Sequence, residues 1–202
     1  MKVAIMIMAA GESRRFSRCK LLAAVSSTET LLSRTVTSAL TSDIGDVYII
    51  TGRWHEDVQK YQQAGYLTGS STLHCSSWQH GLGSSIAFGV RKLAASYDAI
   101  LITLADQIDI DAMQLQSLIT AYKGGVVCAK YAGKRGVPAL FPKEHFESLK
   151  SLSGDVGAKK LLNEGICSIE EVELSSASID IDTVEELSLW KQRKQGNQKN
   201  RK

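Results

Sequence analysis

Proline is scarce, at two residues (Pro138 and Pro142), and no repeat or low-complexity linker divides the 202-residue chain. The length suits one well-cored domain. The four cysteines, Cys19, Cys75, Cys128 and Cys167, stand far apart with no C-x-x-C pair, and the four histidines offer no H-E-x-x-H spacing. This argues against a disulfide framework or a zinc site and fits reduced thiols in a cytoplasmic protein. A strong charge of one sign is also missing: 24 Lys and Arg oppose 21 Asp and Glu, and the net charge of +3 gives no reason to expect nucleic acid as a partner. Much of the excess lies in KQRKQGNQKNRK, residues 191–202, expected to be a solvated, disordered tail after a folded domain over 1–190. Long hydrophobic runs are absent as well. Val3–Ala10 is too short for a signal-peptide core with its cleavage region, and nothing approaches the ~20 apolar residues of a membrane span.

What is present is an alternation of short apolar runs with segments of helical period. Strands are predicted at Val3–Met8, Val47–Thr51, Thr72–Cys75, Ala99–Ala105 and Gly125–Lys130, with helices at Leu31–Leu40, His55–Ala64, Ser84–Ala95 and Ala112–Tyr122. Further on, GKRGVPALFP reads as a turn and strand, Val156–Asn163 as a short helix, and Ile179–Ile181 as a brief strand before a last helix from Glu185 to Lys194. Continuous apolar strands separated by helices define an α/β chain with one doubly wound, mostly parallel sheet and a Rossmann-like half.

The first strand runs into Ala9-Ala10-Gly11-Glu12-Ser13-Arg14-Arg15-Phe16-Ser17-Arg18-Cys19-Lys20-Leu21-Leu22. Ligands of parallel sheets collect at the carboxyl ends of strands, where this loop must lie. Ala9, Ala10 and Gly11 let a base or phosphate approach the backbone, and Arg15 and Lys20 add two cations, one a planar fork and one a point charge. The loop is neither a Walker A sequence nor a G-x-G-x-x-G turn. Asp106, after AILITLA, should emerge beside it, either to hold an oxygen-seeking cation such as Mg²⁺ or to cap the helix beginning near Asp111. Asp180 and Asp182 alternate on the predicted last strand and should share a face. Asp182 could equally cap the final helix.

The loop resembles the A-A-G-x-S-x-R-x-G-x-x-K-L-L signature of small-molecule nucleotidyltransferases, in the MobA/MocA-like branch that includes molybdenum cofactor cytidylyltransferases. Trp78–Ser85 is similar to that family's W-x-x-G-x-G-x-S segment, the strand ending at Asp106 to L-x-D-x-P, Gly136–Phe141 to G-x-P-x-x-F, Gly154–Ala158 to G-D-x-G-A, and Ile179–Leu187 to D-I-D-T-P-E-D-L. Ser17 stands in place of the family's glycine, and Ile108 and Val184 in place of its prolines.

The resemblance implies a nucleotide-diphospho-sugar-transferase type of fold. It also implies NTP contacts from Ala9, Ala10, Gly11, Arg15, Lys20, Gly83, Ser84 and Ser85, with Arg15 and Lys20 catalytic. Mg²⁺ would be held by Asp106 with Asp182, Asp180 or both, and the acceptor would lie near Asp155 and Gly136. The implied reaction is attack by an acceptor phosphate on the α-phosphorus of an NTP with loss of pyrophosphate. A phosphomonoester is largely dianionic at neutral pH, its second pKa being ~6, so no strong general base is required. The A-A-G form of the loop resembles the cytidylyl-transferring members, which favours CTP and a molybdopterin-type acceptor. A sugar or polyol phosphate acceptor, and a non-catalytic carrier serving a molybdoenzyme client, are the alternatives.

Overall fold

The computed structural model describes residues 1–16, 18–164 and 168–199. A single mixed sheet of seven strands forms its centre: β1 (Val3–Ala9), β2 (Asp46–Thr51), β3 (Ser70–His74), β4 (Ala99–Leu104), β5 (Val126–Tyr131), β6 (Lys134–Pro142) and β7 (Ile169–Glu173), in the order β3-β2-β1-β4-β6-β5-β7. Every residue of β1 is buried, because helices cover both faces of the sheet. The alternation of the strand sorts its side chains. Ile5, Ile7 and Ala9 pack beneath α1 (Leu31–Thr41), α2 (His55–Gln63) and α4 (Ala112–Thr120), while Ala4, Met6 and Met8 face α3 (Leu82–Leu93), α5 (Phe146–Lys150) and α6 (Ala158–Glu164). Two of these helices start at capping boxes, Thr30 with Ser33 and Asp111 with Gln114.

All neighbouring strands are parallel except at β6, which runs antiparallel between β4 and β5. The cause is local. Ala132 and Gly133 both take positive φ, 50° and 70°, which suits a tight hairpin turn and folds β6 back on β5. β1 leads to β2 on one side of the sheet, and the chain returns to lay β4 on the other. The carboxyl ends of β1 and β4 therefore flank a topological switch point, the crevice where such sheets bind ligands.

Two predicted elements differ from the structure, and one strand was not predicted. Ile179–Ile181 is not a strand: its backbone serves single contacts, Ile181 N–H donating to the Asp106 carbonyl at 3.1 Å, and its side chain enters a small core with Phe16, Leu187 and Trp190. The edge strand β7 (IEEVE) lies instead at Ile169–Glu173, beside β5. The last helix, α7, spans Val184–Lys199, so residues 191–199 continue it where a disordered tail was expected; residues 200–202 lie outside the described residues. No helix is long and apolar enough to cross a membrane among the described residues.

Candidate active site

The loop after β1 is held at both ends. Phe16 is buried in the small core with Ile181 and Trp190, and Leu21 in the main one. Ahead of Phe16, Ser13 turns the chain with φ 57°, and its hydroxyl accepts from the Lys20 N–H at 3.4 Å. This pins Lys20 at the start of a 3-10 turn, Lys20–Leu22, with its side chain directed at the ends of two distant segments.

The Lys20 ammonium donates to Asp106 Oδ2 at 2.7 Å, to Asp182 Oδ1 at 2.9 Å and to the Ile181 carbonyl at 3.0 Å. Its side chain is 13% exposed and that of Asp106 21%. Burial pushes the Lys20 pKa down, but the charges and hydrogen bonds of Asp106 and Asp182 outweigh it and the net shift is upward. The hydrogen bond from Lys20 holds the Asp182 carboxyl below its ordinary range. Arg15, largely exposed, reaches the other oxygen of Asp182 at 3.2 Å.

Asp182 is free for these contacts because Thr183 caps α7. Glu186 N–H donates to Thr183 Oγ1 at 3.1 Å, and Glu186 Oε2 accepts from the backbone of Asp182 and Thr183. Asp111 likewise caps α4, which leaves Asp106 to the crevice. Asp180 is exposed and lies outside the crevice lining; burial raises its pKa, with the charges of Asp106 and Asp182 adding to the shift. No strand forms over 179–181 to place Asp180 and Asp182 on one face, and of the two only Asp182 lines the crevice.

The donor set suits a hard divalent cation. Asp106 Oδ1 is buried and has no hydrogen-bond partner among the described residues, although its companion oxygen is paired. Two carboxylates meet at one point, and among the described residues no group of three or more His, Cys, Asp or Glu gathers to enclose a metal. Such an open pair leaves room for water and phosphate oxygens around a divalent cation.

A cleft of about 510 Å³ opens from this point. The first loop from Ala9 to Arg15 forms one wall, Trp78, Gln79, Gly81, Leu82 and Ser85 form another, and Asp155 also lines the cleft. Tight packing builds the second wall. Gly81 has φ 95°, and a β-carbon there would strike Gly154; one on Gly83 would strike the Val156 and Ser153 backbone. Gly83 N–H donates to the Gly154 carbonyl at 2.8 Å, which docks the Gly154–Gly157 segment against α3 and sets Asp155 beside the cleft.

Of the predicted residues, the fold brings together Ala9, Ala10, Gly11, Arg15, Lys20, Ser85, Asp106, Asp155 and Asp182 along this cleft. Gly83, Ser84 and Gly136 are not in its lining. The Ser84 hydroxyl bonds to the His80 carbonyl, and Gly136 sits on β6 against the Tyr131 hydroxyl. Burial raises the pKa of Cys19, which works against a reactive thiolate there. Ser17 and Cys167 lie outside the described residues.

One residue of the site has no counterpart among the predicted ones. Gln107, 3% exposed, donates from its single amide nitrogen to the carbonyls of Val137 and Ala177, both at 2.9 Å. It ties the strand end carrying Asp106 to β6 and to the turn that leads towards Asp182. The only trace in the sequence is an amide directly after a strand-end aspartate.

A doubly wound sheet with a basic loop and two carboxylates at its switch point defines a nucleotide-handling α/β domain. Residues 5–172 match the MobA-like NTP transferase domain, and the chain belongs to that family. It is 29% identical over 190 residues to the purine catabolism protein PucB of Bacillus subtilis (strain 168), covering 90% of this chain and 92% of PucB. Among solved structures it resembles Rv0371c of Mycobacterium tuberculosis H37Rv with a TM-score of 0.80 at 21% identity, over 95% of this chain and 99% of that one. Rv0371c is also known as a complex with manganese, which matches at a TM-score of 0.71 and 20% identity over 86% and 89% of the two chains. CMP:2-keto-3-deoxy-manno-octonic acid synthetase complexed with CTP matches with a TM-score of 0.75 at 14% identity, over 98% and 100%. The fold is that of the nucleotide-diphospho-sugar transferases.

Proposed function

We propose that the protein is a Mg²⁺-dependent cytidylyltransferase of the cytoplasm that moves CMP from CTP to a phosphorylated acceptor of the molybdopterin type, releasing pyrophosphate. The observation that carries this reading is the convergence of Lys20, from the first loop, on Asp106 and Asp182, from segments 86 and 162 residues away. A basic loop and two acidic segment ends meeting in one crevice is the arrangement that a triphosphate with its cation requires.

In this reading the nucleotide lies along Ala9, Ala10 and Gly11, with its base towards the wall of Trp78, Gly81 and Ser85. Arg15 and Lys20 neutralise the phosphate oxygens and orient the α-phosphorus, and Asp155 faces the acceptor. Asp106 and Asp182 would hold Mg²⁺, and the free Oδ1 of Asp106 is a ligand the protein leaves unsatisfied. Mg²⁺, when bound, supplies charge neutralisation on the polyphosphate. The incoming phosphate is already an anion near neutral pH, which agrees with a cleft whose lining contains no histidine. The choice of CTP is supported by the A-A-G form of the loop and by a CTP-binding relative of the same fold.

The test is release of pyrophosphate from radiolabelled CTP with Mg²⁺ and candidate acceptors. Turnover with a molybdopterin acceptor and CTP above ATP and GTP is the expected result. Turnover confined to a sugar or polyol phosphate would reassign the acceptor, and absence of nucleotide binding would end the reading.

A further inference from the structure

The surroundings of Lys20 hold a second consequence. An ammonium has three N–H donors, and Lys20 spends them on three oxygens, those of Asp106 at 2.7 Å, Asp182 at 2.9 Å and the Ile181 carbonyl at 3.0 Å. No donor remains for a phosphate while this arrangement lasts. The same two carboxylates are the oxygens that a hard divalent ion would take. A small dication drawn up to them would meet the ammonium within a few ångströms, where like charges in a part-buried site repel strongly. The backbone of Lys20 is fixed, with Leu21 buried beside it, so the exchange must come from the long, flexible side chain.

We propose that Lys20 makes the site selective for a divalent cation delivered with its nucleotide: bare cation and ammonium exclude one another from the Asp106–Asp182 pair, and a polyphosphate resolves the contest by drawing the ammonium to itself. Arg15 does not play this part. It reaches only the outer oxygen of Asp182, from a side chain that is 71% exposed. The inference rests on the nucleotidyl-transfer reading for its second half, and on the geometry alone for its first.

Binding of Mn²⁺ to the protein without nucleotide, followed by the electron paramagnetic resonance signal of the free ion, tests it without any assay of turnover. Lys20→Met should bind Mn²⁺ about tenfold or more tighter than wild type, and the gain should vanish in Lys20→Met/Asp106→Asn. Lys20→Arg, which keeps the charge, should bind Mn²⁺ as weakly as wild type. A non-hydrolysable CTP analogue should tighten Mn²⁺ on wild type far more than on Lys20→Met. Equal Mn²⁺ affinity in wild type and Lys20→Met would overturn the proposal, as would a gain that survives loss of Asp106. If Lys20→Met does not fold, Lys20→Gln takes its place under the same criteria. An analogue that binds neither protein would instead remove the nucleotide reading, while the comparison in its absence would still decide whether ammonium and cation compete.

Discussion

The two ends of strands β1 and β4 carry similar groups and behave differently. At the amino end, Lys2, Asp46, Asp98, Tyr48 and Tyr97 gather beside a cleft of about 530 Å³, no smaller than the one at the carboxyl end. There Tyr97 donates to Asp46 at 2.6 Å, its oxygen meets the Tyr48 hydroxyl at 2.7 Å, Lys2 N–H reaches Asp98 at 2.7 Å, and the Lys2 ammonium lies over the Tyr97 ring. Burial and the bond to Asp46 raise the Tyr97 pKa and keep it a donor. Here too the partners come from distant segments, Asp98 for Lys2 and Asp46 and Tyr48 for Tyr97. At the carboxyl end, two carboxylates share the Lys20 ammonium, and one buried oxygen of Asp106 has no partner among the described residues. Neither cavity volume nor the presence of charge separates the two ends. What separates them is that the hydroxyls and charges at one end pair with one another, whereas at the other a buried carboxylate oxygen has no partner among the described residues.

That contrast can be broken by substitution. The largest effect belongs to Asp106→Asn, which should lower pyrophosphate release by ~10²-fold or more, while Asp46→Asn at the other end leaves it unchanged. Lys20→Met should cost a similar factor in turnover and also lower stability by about 1–3 kcal/mol by leaving Asp106 unpaired and Asp182 with only the exposed Arg15. Its stability effect should follow pH. Asp182, with its pKa lowered from 3.8, contributes above that value and loses its contribution as the pH falls through the lower folded value. Lys20, raised from 10.5, contributes fully below that value and loses it as the pH rises through the higher folded value. The gap in melting temperature between wild type and Lys20→Met is therefore constant around neutrality and narrows in strong acid and strong base.

Gln107→Leu removes the two N–H donors that serve the Val137 and Ala177 carbonyls and should destabilise the protein by about 1–3 kcal/mol in urea unfolding. It should also weaken Mg²⁺ dependence, because Asp106 and the segment before Asp182 lose a tether. The smallest effect is expected for Tyr97→Phe, about 1 kcal/mol of stability with activity intact. A drop in turnover there would mean that the two ends are coupled and the contrast drawn too sharply.

The apolar runs that became β1, β2 and β4 were legible because residues buried on both faces leave an unbroken hydrophobic string. The site was legible where family-like segments mark it, at Lys20, Arg15, Asp106 and Asp155. Asp182 was ambiguous as long as Thr183 and Asp182 competed for one helix cap, and only the contact of Glu186 with Thr183 resolves them. Gln107 was invisible because its partners lie 30 and 70 residues away, and no local rule marks a buried amide that bridges them. Gly83 was assigned as a nucleotide contact by the family resemblance; the carbonyls of Ser153 and Val156 show that close packing also requires a glycine there. The strand predicted at Ile179–Ile181 failed for a related reason: alternation alone does not supply a neighbouring strand to pair with.

The central claim is that Asp106 and Asp182 form, with the first loop, one seat for a polyphosphate and its cation. Calorimetric titration of CTP with and without Mg²⁺ measures this directly, in wild type and in Asp106→Asn. The account predicts that Mg²⁺ tightens CTP about tenfold or more in wild type and has little effect in Asp106→Asn. Equal tightening in both proteins would place the cation elsewhere and contradict it.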